Sequence, residues 1–200
     1  MEAKIIGIAG SPRKGMSTCF FLKHCLQSAQ ETEGITTELI ELADLHVQGC
    51  IACDTCFNEF ACSQEDDFQQ FLEKFSDKSL AGVIIASPVY FGGMSSQMKA
   101  FLDRCIVFRR NGVMLRNKVG GVLTVGRFRN GGQEIAIQSI HAALLIQDMV
   151  LVGDGNTTLH FGGTGWSGHP EGYEKDEFGL ATARNLGQRV AEIAAKIHRA

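Results

Sequence analysis

The feature that most constrains this chain is an alternation that runs from one end to the other. Strand-sized apolar runs are separated by segments whose apolar residues recur at helical spacing. The runs at 4–9, 36–42, 80–87, 118–125 and 149–152 are rich in Ile, Val or Leu, and helical patterns fall near 17–33, 67–75, 97–108, 133–147 and 177–197. Strands that are apolar on both faces and alternate with helices belong in a parallel sheet covered on both sides.

Five such units predict an α/β, flavodoxin-like doubly wound sheet of five parallel strands in the order 2-1-3-4-5. Residues 1–200 are expected to form one domain. Two segments break the rhythm: 43–66, a Cys-rich insertion where a plain βα loop needs only a few residues, and 153–176, which is rich in glycine and carries Trp166, His169, Pro170 and Tyr173. Loops of that length in a compact domain are usually functional or form an interface.

Composition narrows the function classes. Hydrophobic residues make up 44% and charged residues 20%, and 19 Lys and Arg against 22 Asp and Glu leave a net charge of −3, which excludes a generally basic nucleic-acid binder. A chain of this length buries about 70% of its unfolded surface and needs no disulfides. The longest apolar runs are strand-sized, so no membrane span is expected. The opening MEAKIIGIAGSPRKG lacks a basic n-region and a cleavage site, so it reads as a first strand and the expectation is a cytoplasmic protein.

Seven cysteines are many for such a domain, and Cys50, Cys53, Cys56 and Cys62 fall within thirteen residues. In a reducing compartment such a cluster is metal-binding or redox-active rather than disulfide-bonded. The spacing Cys50-x2-Cys53-x2-Cys56-x5-Cys62 lets consecutive thiolates take three corners of a 4Fe–4S cubane while a longer arm reaches the fourth. Structural zinc more often uses two separated ligand pairs, and a lone CxxC can be a dithiol redox centre; both stay open as alternatives. Cys19, Cys25 and Cys105 lie on helical patterns and read as small buried hydrophobes. His46 reads as a surface residue.

Three loops follow strand ends. In Gly10-Ser11-Pro12-Arg13-Lys14-Gly15-Met16-Ser17-Thr18, a helix N-terminus offers free N–H groups to a phosphate, Ser11, Ser17 and Thr18 add hydroxyls, and Arg13 adds charge. The Gly10-x4-Gly15 spacing matches a P-loop, but Met16 stands where Lys is required, so a monophosphate suits the loop better than ATP or GTP. The plain alternative is a helix entry with Ser17 or Thr18 as N-cap. The run from Ser87 to Ser95 contains Pro88, Val89, Tyr90, Phe91 and Gly92, suited to a flat ring, or else to core or interface packing. The run from Gly126 to Glu134, with Arg127, Asn130 and Gly131, suits a polar ring edge or a tight turn into a helix.

The segments GSPRKGMST, SPVYFGGMSSQMKAFLDR and GRFRNGGQE resemble the NADPH-dependent FMN reductase and iron–sulfur flavoprotein families, as does the later GGTGWSGHPEG stretch. The resemblance implies that Ser11, Arg13, Ser17 and Thr18 hold the FMN phosphate. It also implies that Pro88, Val89, Tyr90, Phe91 and Gly92 lie along the isoalloxazine, with Arg127, Asn130 and Gly131 near its pyrimidine side. Having all four closely spaced cysteines points to the cluster-bearing branch, with Cys50, Cys53, Cys56 and Cys62 as ligands. It further implies a homodimer or homotetramer.

The expected function is therefore coupling of a one-electron donor such as ferredoxin, through a 4Fe–4S cluster and FMN, to a two-electron acceptor such as oxygen, hydrogen peroxide or a quinone. No acid–base constellation is required, since the cofactors carry the reaction. One alternative is an NAD(P)H-dependent FMN or quinone reductase without a cluster. Another is a non-catalytic flavin-binding carrier or sensor with structural zinc. Of the remaining charges, Arg104, Arg109, Arg110, Arg116, Lys118, Arg127 and Arg129 form a basic stretch that reads either as a docking surface or, for Arg109 and Arg110, as helix termination. Glu65, Asp66 and Asp67 read as helix N-terminal charge.

Overall fold

The computed structural model describes residues 2–198. Its sheet is parallel with strand order β2-β1-β3-β4-β5, where β1 is Ala3–Ala9, β2 Ile35–Glu41, β3 Leu80–Pro88, β4 Val119–Gly126 and β5 Val150–Leu151. The central strands are buried on both faces because their side chains alternate between two cores. Ile6 and Ile8 of β1, Val83 and Ile85 of β3 and Val122 of β4 enter one core. Ile5, Ala9, Ile84, Ala86, Leu123 and Val125 enter the other.

Helix α1 (Ser17–Gln30) covers the second core together with the C-terminal helix Glu177–His198. Between them in the chain lie α2 (Thr55–Asn58), α3 (Gln69–Ser76), α4 (Ser96–Arg104), α5 (Ile106–Arg110) and α6 (Gln133–Ile146), which pack on the first core; the C-terminal helix is α7. Phe68, Phe71, Phe75, Phe101 and Phe108 form a buried aromatic group there, with ring centroids 4.7 Å apart for Phe71–Phe101 and 5.0 Å for Phe75–Phe108. Each such ring contributes on the order of 2–3 kcal/mol by leaving water, so the elements flanking the cysteine loop are firmly anchored. Cys19, Cys25 and Cys105 are buried, as expected.

Two elements differ from the sequence reading. The helical pattern at 97–108 forms two helices, α4 and α5, meeting at Cys105, whose carbonyl accepts from both the Phe108 N–H and the Gln147 side chain. The fifth strand position is split. β5 pairs with the start of β4, and β6 (Gly163–Trp166) pairs in parallel with its end, so the chain leaves the sheet edge and returns to it. The Thr164 N–H donates to Thr182 Oγ1 at 3.0 Å and the Trp166 N–H to Asp176 Oδ2 at 2.8 Å, Asp176 lying just before α7 and Thr182 in its second turn. No helix among the described residues is long and apolar enough to cross a membrane.

Candidate functional site

The loops after β1, β3 and β4 are tied together by their own hydrogen bonds. Ser95 Oγ donates to the Gly10 carbonyl and accepts from the Met98 N–H at 3.2 Å, capping α4, while Ser87 Oγ accepts from the Ser95 N–H at 3.0 Å. The Val89 N–H donates to the Val125 carbonyl at 2.9 Å. These bonds fix the carboxyl ends of three neighbouring strands into one rigid rim, where ligands bind in open α/β sheets.

Helix α1 begins at Ser17 behind Met16, which occupies the N-cap position and whose thioether makes no capping bond. Neither Ser17 nor Thr18 is the cap; both lie buried in the first turn. The first-turn amides are thus left to an external acceptor, the condition for anion binding at a helix start. Ser11 Oγ accepts from the Arg13 N–H and donates to the Arg13 carbonyl, both at 3.1 Å, folding the loop that carries Arg13. The Gly15 N–H donates to Glu41 Oε2 at 2.8 Å.

Across the rim, Tyr90 and Gly93 exchange backbone hydrogen bonds of 2.9 and 3.0 Å, closing a two-residue turn at Phe91 and Gly92. Both turn residues have positive φ, 50° and 76°, and the Phe91 side chain is fully exposed. A cleft of about 320 Å³ opens between these loops. Arg13, Ser17, Pro88, Val89, Tyr90 and Arg127 line it, joined by Met16, Val125, Ser167 and Tyr173. Ser11 and Thr18 are buried rather than part of that lining, and Phe91 and Gly92 form the turn at its border.

Asn130 lines a different cleft of about 420 Å³ beside Arg129, His160 and Phe178. The Gly131 N–H donates to Gln133 Oε1 at 2.7 Å, so that amide serves the turn itself. Sequence reasoning did not single out Ser167 or Val125 for the first cleft, since neither carries a motif. Tyr173 lines that cleft, and Trp166 Nε1 donates to the Arg127 carbonyl at 2.9 Å, steadying loop four.

The cysteine insertion builds a second site. Cys50 and Cys53 are exposed, Cys62 half-buried and Cys56 buried; all four are free thiols, and all four line one narrow pocket. Ala52 and Asp54, between the first cysteines, both have positive φ, 52° and 62°, which curls the loop around that space. Left-handed backbone at a non-glycine residue costs on the order of 1 kcal/mol. Hydrogen bonding with the Ser63 hydroxyl at 3.0 Å, and then with Thr55, lowers the Cys53 thiol to about 7. Among the described residues no three His, Cys, Asp or Glu side chains are placed to hold a metal ion, although all four thiols line the same pocket.

Two arginines complete this site. Arg104 is buried on α4 and forms a bidentate pair with Asp66, 2.8 and 3.0 Å, donates to the Gln48 carbonyl at 3.1 Å, and lies 4.4 Å over the Phe68 ring. Its Nε is buried and has no hydrogen-bond partner among the described residues, a group whose desolvation costs about 1–3 kcal/mol when unmet. Arg110 Nη1 donates to Cys56 Sγ at 3.1 Å, and the guanidinium sits 3.2 Å from Asp54 and 3.5 Å over the Phe57 ring. Sequence reasoning had placed Arg104 in a basic surface, Arg110 at a helix terminus and Asp66 in a helix cap. Asp66 Oδ1 does accept from the Phe68 N–H at 3.1 Å, but its main partner is Arg104. His46 bonds with Gln48 and does not line the cavity.

Residues 3–164 match the family model of NADPH-dependent FMN reductases. An iron–sulfur flavoprotein of Methanocaldococcus jannaschii is 48% identical over 190 residues, covering 95% of this chain and 96% of that protein. An iron–sulfur flavoprotein of Methanosarcina thermophila is 38% identical over 190 residues, 95% of this chain and 94% of the relative. The flavodoxin-type, WrbA-like protein of Agrobacterium tumefaciens superposes with a TM-score of 0.65 at 18% identity, over 98% of this chain and 99% of its own, which shows the fold. The chain belongs to the NADPH-dependent FMN reductase family, in its iron–sulfur flavoprotein group, and is a flavin-dependent oxidoreductase.

Proposed function

We propose that this protein is a two-centre electron-transfer enzyme that binds FMN in the rim cleft and a 4Fe–4S cluster in the cysteine cavity. The observation that carries the reading is the second site: four thiols of one loop ring a cavity that a buried arginine, with an unpaired N–H, also lines. Soft thiolate donors in that number suit an iron–sulfur cluster, and an anionic guest would satisfy the stranded donor. In the cleft, the uncapped start of α1 and Arg13 suit a phosphate, while Pro88, Val89 and Tyr90 border a space sized for a planar ring system. Ser11 and Thr18 would support the phosphate loop from behind, Phe91 and Gly92 would close the ring's border, and Asn130 and Gly131 would act only through the shape of loop four.

When bound, the cluster passes single electrons and the flavin one or two, so a one-electron donor such as ferredoxin can drive two-electron reduction of oxygen, hydrogen peroxide or a quinone. The chain's own residues bind and orient these groups and supply their electrostatics. Homodimeric or homotetrameric assembly in the cytoplasm is part of the proposal.

A cluster-free NAD(P)H-dependent reductase is the second reading, favoured by the family model and by the arginines around the cleft, Arg13 and Arg127. An anaerobic visible spectrum with iron, zinc and acid-labile sulfide assayed on the same sample separates the readings. About four irons and matching sulfide with flavin bands are expected. Flavin alone, unreconstitutable, with bleaching by NADPH would support the second reading, and stoichiometric zinc without sulfide would make the cysteines structural.

A further inference from the structure

We infer that Arg104 and Arg110 set the reduction potential of the cysteine centre from the α4–α5 segment, Arg104 by an N–H donor and Arg110 by an N–H donor and positive charge. The inference rests on the cluster reading above. An iron–sulfur cluster gains one negative charge on reduction, and its potential rises with hydrogen bonds to sulfur and with compensating positive charge. Both arginines line the cavity.

The two guanidiniums differ in what they have left to give. Arg104 has both Nη1 and Nη2 engaged, with Asp66 and the Gln48 carbonyl, so its charge is balanced, while its buried Nε–H meets no acceptor among the described residues. Arg104 therefore acts as a nearly neutral, immobile donor. Arg110 already donates to Cys56 Sγ at 3.1 Å, and its charge is opposed by Asp54 at 3.2 Å, a carboxylate that is itself mostly exposed and so only a partial counterweight. Arg110 therefore contributes both a hydrogen bond and charge. Asp54, one residue after Cys53, acts in the opposite sense.

This opposition supplies a test that damage to the site cannot mimic. Arg110→Gln, Arg110→Lys and Asp54→Asn would be prepared anaerobically beside the parent, assayed for iron, sulfide and FMN, and titrated with the reduced cluster followed by EPR. Asparagine tolerates the left-handed backbone at position 54. Arg110→Gln is expected to lower the preference for the reduced state about tenfold, a fall of about 59 mV for a one-electron couple. Arg110→Lys is expected to fall by less, and Asp54→Asn to rise. Midpoints equal to the parent's at equal iron content, or an Asp54→Asn midpoint that falls with that of Arg110→Gln, would overturn the inference while leaving the cluster reading intact. A parent that takes up no iron on reconstitution overturns both. If Arg110→Gln fails to retain iron, the direction of the Asp54→Asn shift decides.

Discussion

Replacing Asp66 with alanine removes one half of a buried ion pair, and the structure fixes what that should cost. The Arg104 and Asp66 side chains are 1% and 3% exposed, so both charges are held away from water. Deleting one partner of such a pair costs about 3–5 kcal/mol, chiefly because the other charge is left buried and uncompensated. Asp66 also accepts from the Gln48 N–H at 2.9 Å and the Phe68 N–H at 3.1 Å, but Gln48 is exposed and its amide can turn to water. Taking about 4 kcal/mol, the unfolding midpoint should fall by roughly 8–16 °C for a domain of this size. Thermal melts followed by far-ultraviolet circular dichroism, under anaerobic conditions and at one scan rate, would measure it. The double variant Asp66→Ala with Arg104→Met removes the stranded charge and sets a thioether on the Phe68 ring, so it should recover at least half of the loss. A double variant no more stable than Asp66→Ala alone would refute the reasoning. Burial pushes the Asp66 carboxyl up, but the Arg104 hydrogen bonds and the Gln48 and Phe68 amides outweigh it and hold it below the usual carboxylate range. The pair's contribution is therefore complete above the unfolded carboxylate pKa and fades only as the pH falls towards the depressed folded value.

Cys56→Ala should keep FMN and lose most of its iron; equal iron in variant and parent would remove Cys56 from the ligand set. In metal-free protein, alkylation of Cys53 should rise with pH around a midpoint near 7, and Ser63→Ala should move that midpoint upward, as peptide mapping after iodoacetamide treatment would reveal. Phe91→Asn replaces an exposed aromatic at positive φ with the residue favoured before glycine in such turns, and should stabilise by about 0.5–1 kcal/mol in thermal melts. An unchanged FMN affinity in that variant would show that the Phe91 ring plays no part in holding the flavin.

The strand order was legible because β1, β3 and β4 are apolar at consecutive positions, and only a doubly covered sheet buries such strands. The sequence of β6, Gly-Thr-Gly-Trp, carries no strand signal of its own. It is extended because β4 lies beside it and because Thr182 and Asp176 hold its amides, all contacts made by residues distant in sequence. The same divide runs through the sites. Spacing of the four cysteines is local information and could be read directly. That Arg104 and Arg110, some fifty residues further on, turn towards those sulfurs depends on how α4 and α5 dock on the aromatic core. Asp66 looked like helix-cap charge because one of its oxygens does that work, while its pairing with Arg104 is invisible in one dimension.

The capped edge of β6 also bears on how copies of this chain can meet. A terminal strand with free amides is a template for another strand, and proteins that leave one bare risk pairing edge to edge. Here the outward N–H groups of Thr164 and Trp166 are already spent on the side chains of Thr182 and Asp176, and the Thr182 hydroxyl donates in turn to the Thr164 carbonyl at 3.3 Å. The sheet is thereby sealed along β6, and extension by a further strand there is blocked. On this side of the molecule, association is left to side-chain surfaces, such as the exposed Ile135, Leu145 and Ile146 on α6, where shape and sequence can discriminate between partners.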